Sequence, residues 1–164
     1  MTLTGSYVDA TEAETYFENS PLAITFLDSE YLEWYLQEAT RHIDQLTLAG
    51  QKYDPDIVAG VAVQALQFPR IIDGVTCDWN DSTDLPVVPQ AVKDACLEEA
   101  LAIFSQGAGG RRDLQEQGVA SYQIPGIISE TFRPGAGSAA QMGLKSSSAY
   151  RFLSKYIARS VPIR

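Results

Sequence analysis

The chain has 164 residues, 45% hydrophobic and 20% charged, a balance that suits one domain with a sizeable core and excludes general disorder. No run approaches the roughly 20 apolar residues of a membrane span, and Met1 to Glu14 lacks the basic and apolar regions of a signal peptide, so the expectation is a protein made in a cytoplasm. A net charge of −9 argues against nucleic acid binding over the whole surface.

That total hides a division. Residues 1–105 carry Arg41, Lys52, Arg70 and Lys93 against 18 acidic residues, a net −14. Residues 106–164 carry eight basic residues against Asp113, Glu116 and Glu130, a net +5. Each half is readable as a solvated charged face, and also as one side of a contact in which copies meet acidic half to basic half.

Asp9 to Glu14 reads as a helix start, with Thr11 and Glu14 at capping-box spacing. Pro21 ends this helix near Asn19-Ser20, and residues 21–28 form a linker with enough apolar side chains to dock on a core. A second helix is expected from after Asp28 to about Leu48. Leu32, Tyr35, Leu36, Ala39, Ile43 and Leu46 make its apolar face, and Gly50 its stop. Asp54-Pro55-Asp56 resembles another start, with a short helix over 57–66 broken at Phe68-Pro69-Arg70. Residues 71–88 read as irregular, because Asp73-Gly74, Asn80-Asp81 and Pro86 are turn formers.

A third helix runs from Pro89 to about Ser105, nearly apolar on two faces and so expected at the centre against the second. Beyond the glycines at 107, 109 and 110, the apolar residues around Pro125-Gly126 predict two strands about a turn. Residues 133–145, rich in Gly, Ala and Ser, read as mobile in a free monomer, and Ser146 to Ser148 can cap a last helix. The expected fold is mainly α: a small helical bundle with a short β-hairpin and a flexible C-terminal segment ending in a helix. Residues 1–105 form the helical core, and 106–164 are an extension of the same domain.

The side chains needed for catalysis do not assemble on paper. His42 is the only histidine, and it sits beside the buried face of the second helix, where a boundary role with a hydrogen-bond partner is expected. Neither a nucleophile–histidine set nor a metal spacing forms around it. Asp78, Asp81 and Asp84 lack the ligand pattern of a calcium loop. Glu98 and Glu99 point in different directions on a helix, and Cys96 reads as a small core residue. Gly107 to Arg112 lacks the Lys-Ser/Thr of a phosphate-binding loop. Tyr150 to Tyr156 interleaves aromatic and basic residues, a mixture that could stack bases but more often builds an amphipathic docking helix. No catalytic residue, metal or cofactor is predicted.

The order of short motifs is more specific than any one of them. Tyr7-Val8, Glu12-Ala13, Tyr16-Phe17, Ala39-Thr40, Ile43-Asp44 and Gly50-Gln51-Lys52 are followed by Gln64 to Arg70, Pro89 to Lys93, and Glu98-Glu99-Ala100-Leu101. In this order and spacing the chain resembles the head-to-tail connector (adaptor, or head-completion) proteins of tailed bacteriophages, some of which carry the name DnaT-like single-stranded-DNA-binding protein. The likeness covers residues 5 to about 105 well and is looser beyond, resting there on Glu116 to Phe132 and the closing aromatic helix. It departs from the family pattern in the acidic loop at 71–88.

The resemblance implies a mostly helical, non-enzymatic virion protein that forms a homo-oligomeric ring under the portal protein. Such a ring extends the channel through which double-stranded DNA passes and docks the next connector, stopper or tail protein. The alternative is a single-stranded-DNA-binding replication accessory, for which the overall charge predicts weak or no binding. A small enzyme acting through His42 is a third class. Among individual residues, Phe68, Pro69 and Arg70 are expected to fix how the middle segment crosses the core, with Arg70 paired to an acidic neighbour. Arg111, Arg112, Tyr150, Arg151, Phe152, Lys155, Tyr156 and Arg159 are the candidates for contact with adjacent subunits or the portal.

Overall fold

In a computed structural model, residues 5–53, 64–80, 85–106, 121–124, 128–131 and 143–158 are described. Among them are five α-helices: α1 (Ala10–Phe17), α2 (Ile24–Leu27), α3 (Leu32–Asp44), α4 (Gln90–Gln106) and α5 (Ser147–Leu153). The fold is mainly α, as the hydrophobic periodicity predicts, with short antiparallel strands between and after the helices.

The capping box of α1 lies one step earlier than Thr11 and Glu14. Asp9 has extended backbone, its carboxylate accepts from the Glu12 N–H at 2.9 Å, and Glu12 accepts from the Asp9 N–H at 3.1 Å. A cap needs non-helical backbone, and Thr11 is already inside the helix. Residues 21–28 are more than a linker. Pro21 opens a 3-10 turn (Pro21–Ala23) that leads into α2, and Phe26 is fully buried against the rings of Phe17, Tyr35 and Phe104.

Helix α3 buries Leu32, Leu36, Ala39, Thr40 and Ile43, the face expected from their spacing. It stops at Asp44, a turn short of Leu48, because the following backbone pairs with the C-terminal segment. Leu48 bridges Ile157, and the Ala49 N–H donates to the Tyr156 carbonyl at 2.7 Å. Gly50 therefore does not cap the helix. Its φ of +70° suits glycine, and a Cβ there would lie 2.0 Å from the Ile71 carbonyl oxygen.

Strands β1 (Gln51–Lys52), β2 (Arg70–Ile72) and β3 (Val75–Thr76) form an antiparallel sheet in that order. Asp73 and Gly74, both at positive φ, make the two-residue turn between β2 and β3. A second pair, β4 (Trp79–Asn80) with β5 (Leu85–Pro86), follows. The stretch expected to be irregular thus holds paired strands, too short to show a period of two. The helix predicted over 57–66 falls largely outside the described residues, and Gln64 to Leu66 are not helical.

Helix α4 starts directly after Pro89 and packs against both α3 and α5. Ala95, Cys96 and Ala100 on it are fully buried and small enough to bring the helices close. Burial pushes the Cys96 thiol up to about 12, and its Sγ lies 3.4 Å from Thr40 Oγ1 on α3, the core position its sequence context predicts. Strands β6 (Ser121–Ile124) and β7 (Ile128–Thr131) form the predicted hairpin, with Tyr122 opposite Glu130 and Ile124 opposite Ile128. Residues 125–127 lie outside the described residues, as does most of the Gly/Ala/Ser-rich stretch at 133–145, although its end is held, with Leu144 buried and the Lys145 N–H hydrogen-bonded.

Phe68, after which the peptide bond to Pro69 is cis, is buried with its ring edge-to-face against Tyr7 and Tyr156. The middle segment is held across the core by this contact. Gly50→Ala adds both a disallowed side chain and a backbone collision, so it should cost at least about 1–3 kcal/mol. The urea midpoint is expected to fall accordingly, and an unchanged midpoint would contradict the close approach of Gly50 to β2.

Candidate functional site

Glu99 is the least expected feature of the interior, a carboxylate on the central helix with no exposed surface. Its Oε1 accepts from the Lys145 N–H and from His42 Nδ1, each at 2.8 Å, and its Oε2 accepts from the Ser146 N–H at 2.7 Å. Ser146 in turn caps α5 by accepting from the Ala149 N–H at 3.2 Å. A buried carboxylate thus satisfies the backbone donors at the start of the last helix, where the helix dipole also favours negative charge. His42 is mostly buried, and its other ring nitrogen lies 3.8 Å from Glu38, which pairs with Arg41 at 2.7 Å. The expected boundary role is what the structure shows. Glu98, next to Glu99, instead faces outward and accepts from the Tyr16 hydroxyl at 3.2 Å. Burial and that carboxylate together hold the Tyr16 phenol up at about 12.

A second polar cluster fastens the middle segment. The Tyr7 hydroxyl donates to Asp44 and accepts from the Gln67 and Phe68 N–H groups at 3.1 and 3.2 Å. Burial raises the Asp44 carboxyl above the ordinary carboxylate range, although hydrogen bonds from Tyr7 and Gln67 and the charges of Lys52 and Arg70 pull the other way. Arg70 is buried, and among the described residues it has no acidic side chain as an ion-pair partner. Its guanidinium donates to the carbonyls of Ala49 and Gly50 and to the Gln67 side chain, at 2.8, 2.7 and 2.7 Å. The chain leaving α3 turns these carbonyls inward, and a planar fork of donors fits them.

The other sequence candidates divide by exposure. Arg111, Arg112 and Arg159 lie outside the described residues. Tyr156 is 5% exposed, packed on Phe68, and Tyr150 and Phe152 are half-buried against the core. The amphipathic docking expected of this stretch takes place within the chain, through α5 on α4. Arg151 and Lys155, four positions apart, are exposed. Elsewhere, Arg41 pairs with Glu38 and Lys93 with Glu12, while Lys52 donates to the Gln64 and Ala65 carbonyls.

A groove of about 920 Å³ runs between the N-terminal segment, residues 64–68 and the start of α4. Among the described residues Asp9, Glu12 and Asp78 line it against one cation, Lys93, a balance unsuited to phosphate. A smaller groove of about 330 Å³ continues from it along α1. Neither includes His42 or Glu99. Among the described residues no group of three or more His, Cys, Asp or Glu could hold a metal ion, and no helix is long and apolar enough to cross a membrane.

A family model described as "Putative DnaT-like ssDNA binding protein" matches residues 3–162. No curated protein and no solved structure matches the chain. The match corresponds to the second of the two names that the sequence resemblance carries, and no comparison supports the head-to-tail connector.

The two clusters make separable predictions. Glu99→Ala leaves the Lys145 and Ser146 N–H groups and His42 without their acceptor, at an expected cost of about 3–5 kcal/mol. Amide exchange should accelerate first at residues 145–149, and uniform acceleration would argue against a local pin. For Asp44 the folded chain holds the proton more tightly than the unfolded chain does. The stability it contributes is therefore full at acid pH and is lost as pH rises through the raised folded value. Asp44→Asn lacks this titration, so the stability advantage of wild type over the variant should shrink between acid and neutral pH. Urea titrations showing a constant or widening gap would refute it.

Proposed function

The chain belongs to this DnaT-like family, and on that premise we propose that it is a non-enzymatic protein that binds single-stranded DNA through its C-terminal third. The observation that carries the reading is where the cations are. Eight of the 12 lie in residues 106–164. Of the four before them, Arg41 and Lys93 are matched with carboxylates, and Arg70 is buried among carbonyls. An acidic body with a basic end holds a strand at that end and repels it elsewhere. The weak binding suggested by net charge thus gives way to binding confined to one region.

Tyr156 and the half-buried Tyr150 and Phe152 are committed to the fold, so the contact is made mainly to phosphates. Affinity then depends steeply on salt and little on base sequence. The non-enzymatic part is supported by the only histidine being held between Glu99 and Glu38, away from both grooves.

A second reading is the connector subunit of a tailed bacteriophage virion, a ring under the portal that docks the next connector or tail protein. The opposite charges of the two halves favour it, because head-to-tail contacts that close make rings. An acidic lumen would let double-stranded DNA pass without gripping it. Electron microscopy of the chain with a portal tests this reading: ring-shaped oligomers weakened by salt support it, and monomers under every condition defeat it.

For the first reading, fluorescence anisotropy with a labelled oligothymidylate should show binding at low salt whose logarithm falls linearly with log salt. Replacing Arg151 and Lys155 together by Ala is expected to weaken binding and reduce that slope by about 1.4, on about 0.7 per phosphate contact for a single strand. Arg41→Ala, whose guanidinium is already paired with Glu38, should change neither. Absence of binding at low salt, or an unaltered slope in the double variant, would reject the assignment.

A further inference from the structure

The acidic half carries an aromatic patch that the DNA-binding reading does not use. Tyr31 and Trp34 are 61% and 51% exposed, two large aromatic side chains three positions apart at the start of α3 and so neighbours on one face. Trp34 is seated firmly. Its ring meets Tyr35 edge-on at 5.1 Å, and Tyr35 meets Phe104 of α4 at 5.5 Å, so the patch is an extension of the core's aromatic cluster. Asp28, Glu30 and Glu33 around it are exposed, and residues 5–40 contain no lysine or arginine. Aromatic side chains set among carboxylates repel a nucleic acid strand and suit a basic protein surface.

The chain itself offers such a surface, out of its own reach. The Ala158 N–H donates to the Thr47 carbonyl at 2.9 Å, and the Ala49 N–H to that of Tyr156 at 2.7 Å. Lys155 therefore sits beside the segment leaving the C-terminal end of α3, whereas Trp34 is in its first turn. Thirteen residues at 1.5 Å rise place them about 20 Å apart. Complementary surfaces at opposite ends of one helix cannot close on each other within a chain.

We propose that the Tyr31/Trp34 patch of one copy receives the exposed Arg151 and Lys155 of a second copy, in a heterologous head-to-tail contact. Aromatic faces accept guanidinium and ammonium groups, and the surrounding carboxylates complete the match. The two surfaces differ, so each copy has one of each to offer, and association continues into a chain or closes into a ring according to the rotation between copies. The contact rests on the head-to-tail charge pairing of the connector reading and shares Arg151 and Lys155 with the strand-binding reading, and it is measured without portal or DNA, so its failure is distinguishable from theirs.

The test uses the full chain and two variants, Tyr31→Ala/Trp34→Ala and Arg151→Glu/Lys155→Glu, studied by sedimentation at low salt. Wild type should self-associate in a concentration-dependent way, reduced by added salt. Each variant alone should associate at least about tenfold more weakly. Mixed, the two variants should form a one-to-one heterodimer, since each retains the surface the other lacks. That recovery also shows that both variants are folded. Wild type that stays monomeric, a mixture that gains no heterodimer, or an Arg151→Glu/Lys155→Glu variant that associates like wild type would overturn the proposal. The last outcome would indicate instead that the aromatic patch pairs with itself or with another partner.

Discussion

The Glu99 carboxylate is the interaction on which the arrangement of the helices depends. It is fully buried on α4, and its partners come from α3, through His42, and from the start of α5, through Lys145 and Ser146. Taking an ionised carboxylate out of water costs several kcal/mol, and the cost is offset only where strong donors surround it. Two backbone N–H groups and an imidazole meet that condition. Leu144, Ala149 and Leu153 supply the accompanying apolar burial, but hydrophobic contact alone is non-directional. The carboxylate sets the register at which α5 begins.

The same logic recurs just beyond the C-terminal end of α3. Tyr7 accepts two amides of the middle segment, and Arg70 donates to carbonyls of the chain leaving α3. In each place one buried side chain completes the hydrogen bonding of irregular backbone, which would otherwise be costly away from water. A fold with short helices and two- or three-residue strands leaves many such groups, and Glu99, Tyr7 and Arg70 satisfy several of them. Phe68, edge-on to both Tyr7 and Tyr156, joins this cluster to the C-terminal segment.

How much of this was legible in the sequence follows from the range of the interactions. The long helices were readable because α3 and α4 write their buried faces in local spacing. The cysteine in the core and the boundary histidine follow from the same spacing. The partner of that histidine does not, since Glu99 is 57 residues away, and adjacent Glu98 and Glu99 look alike in sequence. Among the described residues the partners of the buried Arg70 are carbonyls turned inward by a loop and a glutamine, and such carbonyls leave no trace in composition. The strands between 70 and 86 are too short for a periodic signal. Of the basic candidates, position alone could not distinguish Arg151 and Lys155, which face outward, from the interleaved Tyr156, which is spent on the core.

Net charge is the property that misleads most about binding. Charges in water are screened beyond about 8 Å at physiological ionic strength. The acidic start of α3 and the basic residues near its far end are about 20 Å apart, so neither sets the local potential of the other. A ligand meets one end at a time, and each end acts with its own sign. The separation that would let copies meet head to tail is therefore also what would let a chain of net charge −9 hold a phosphate backbone. Both depend on the length of α3, which keeps the two signs apart.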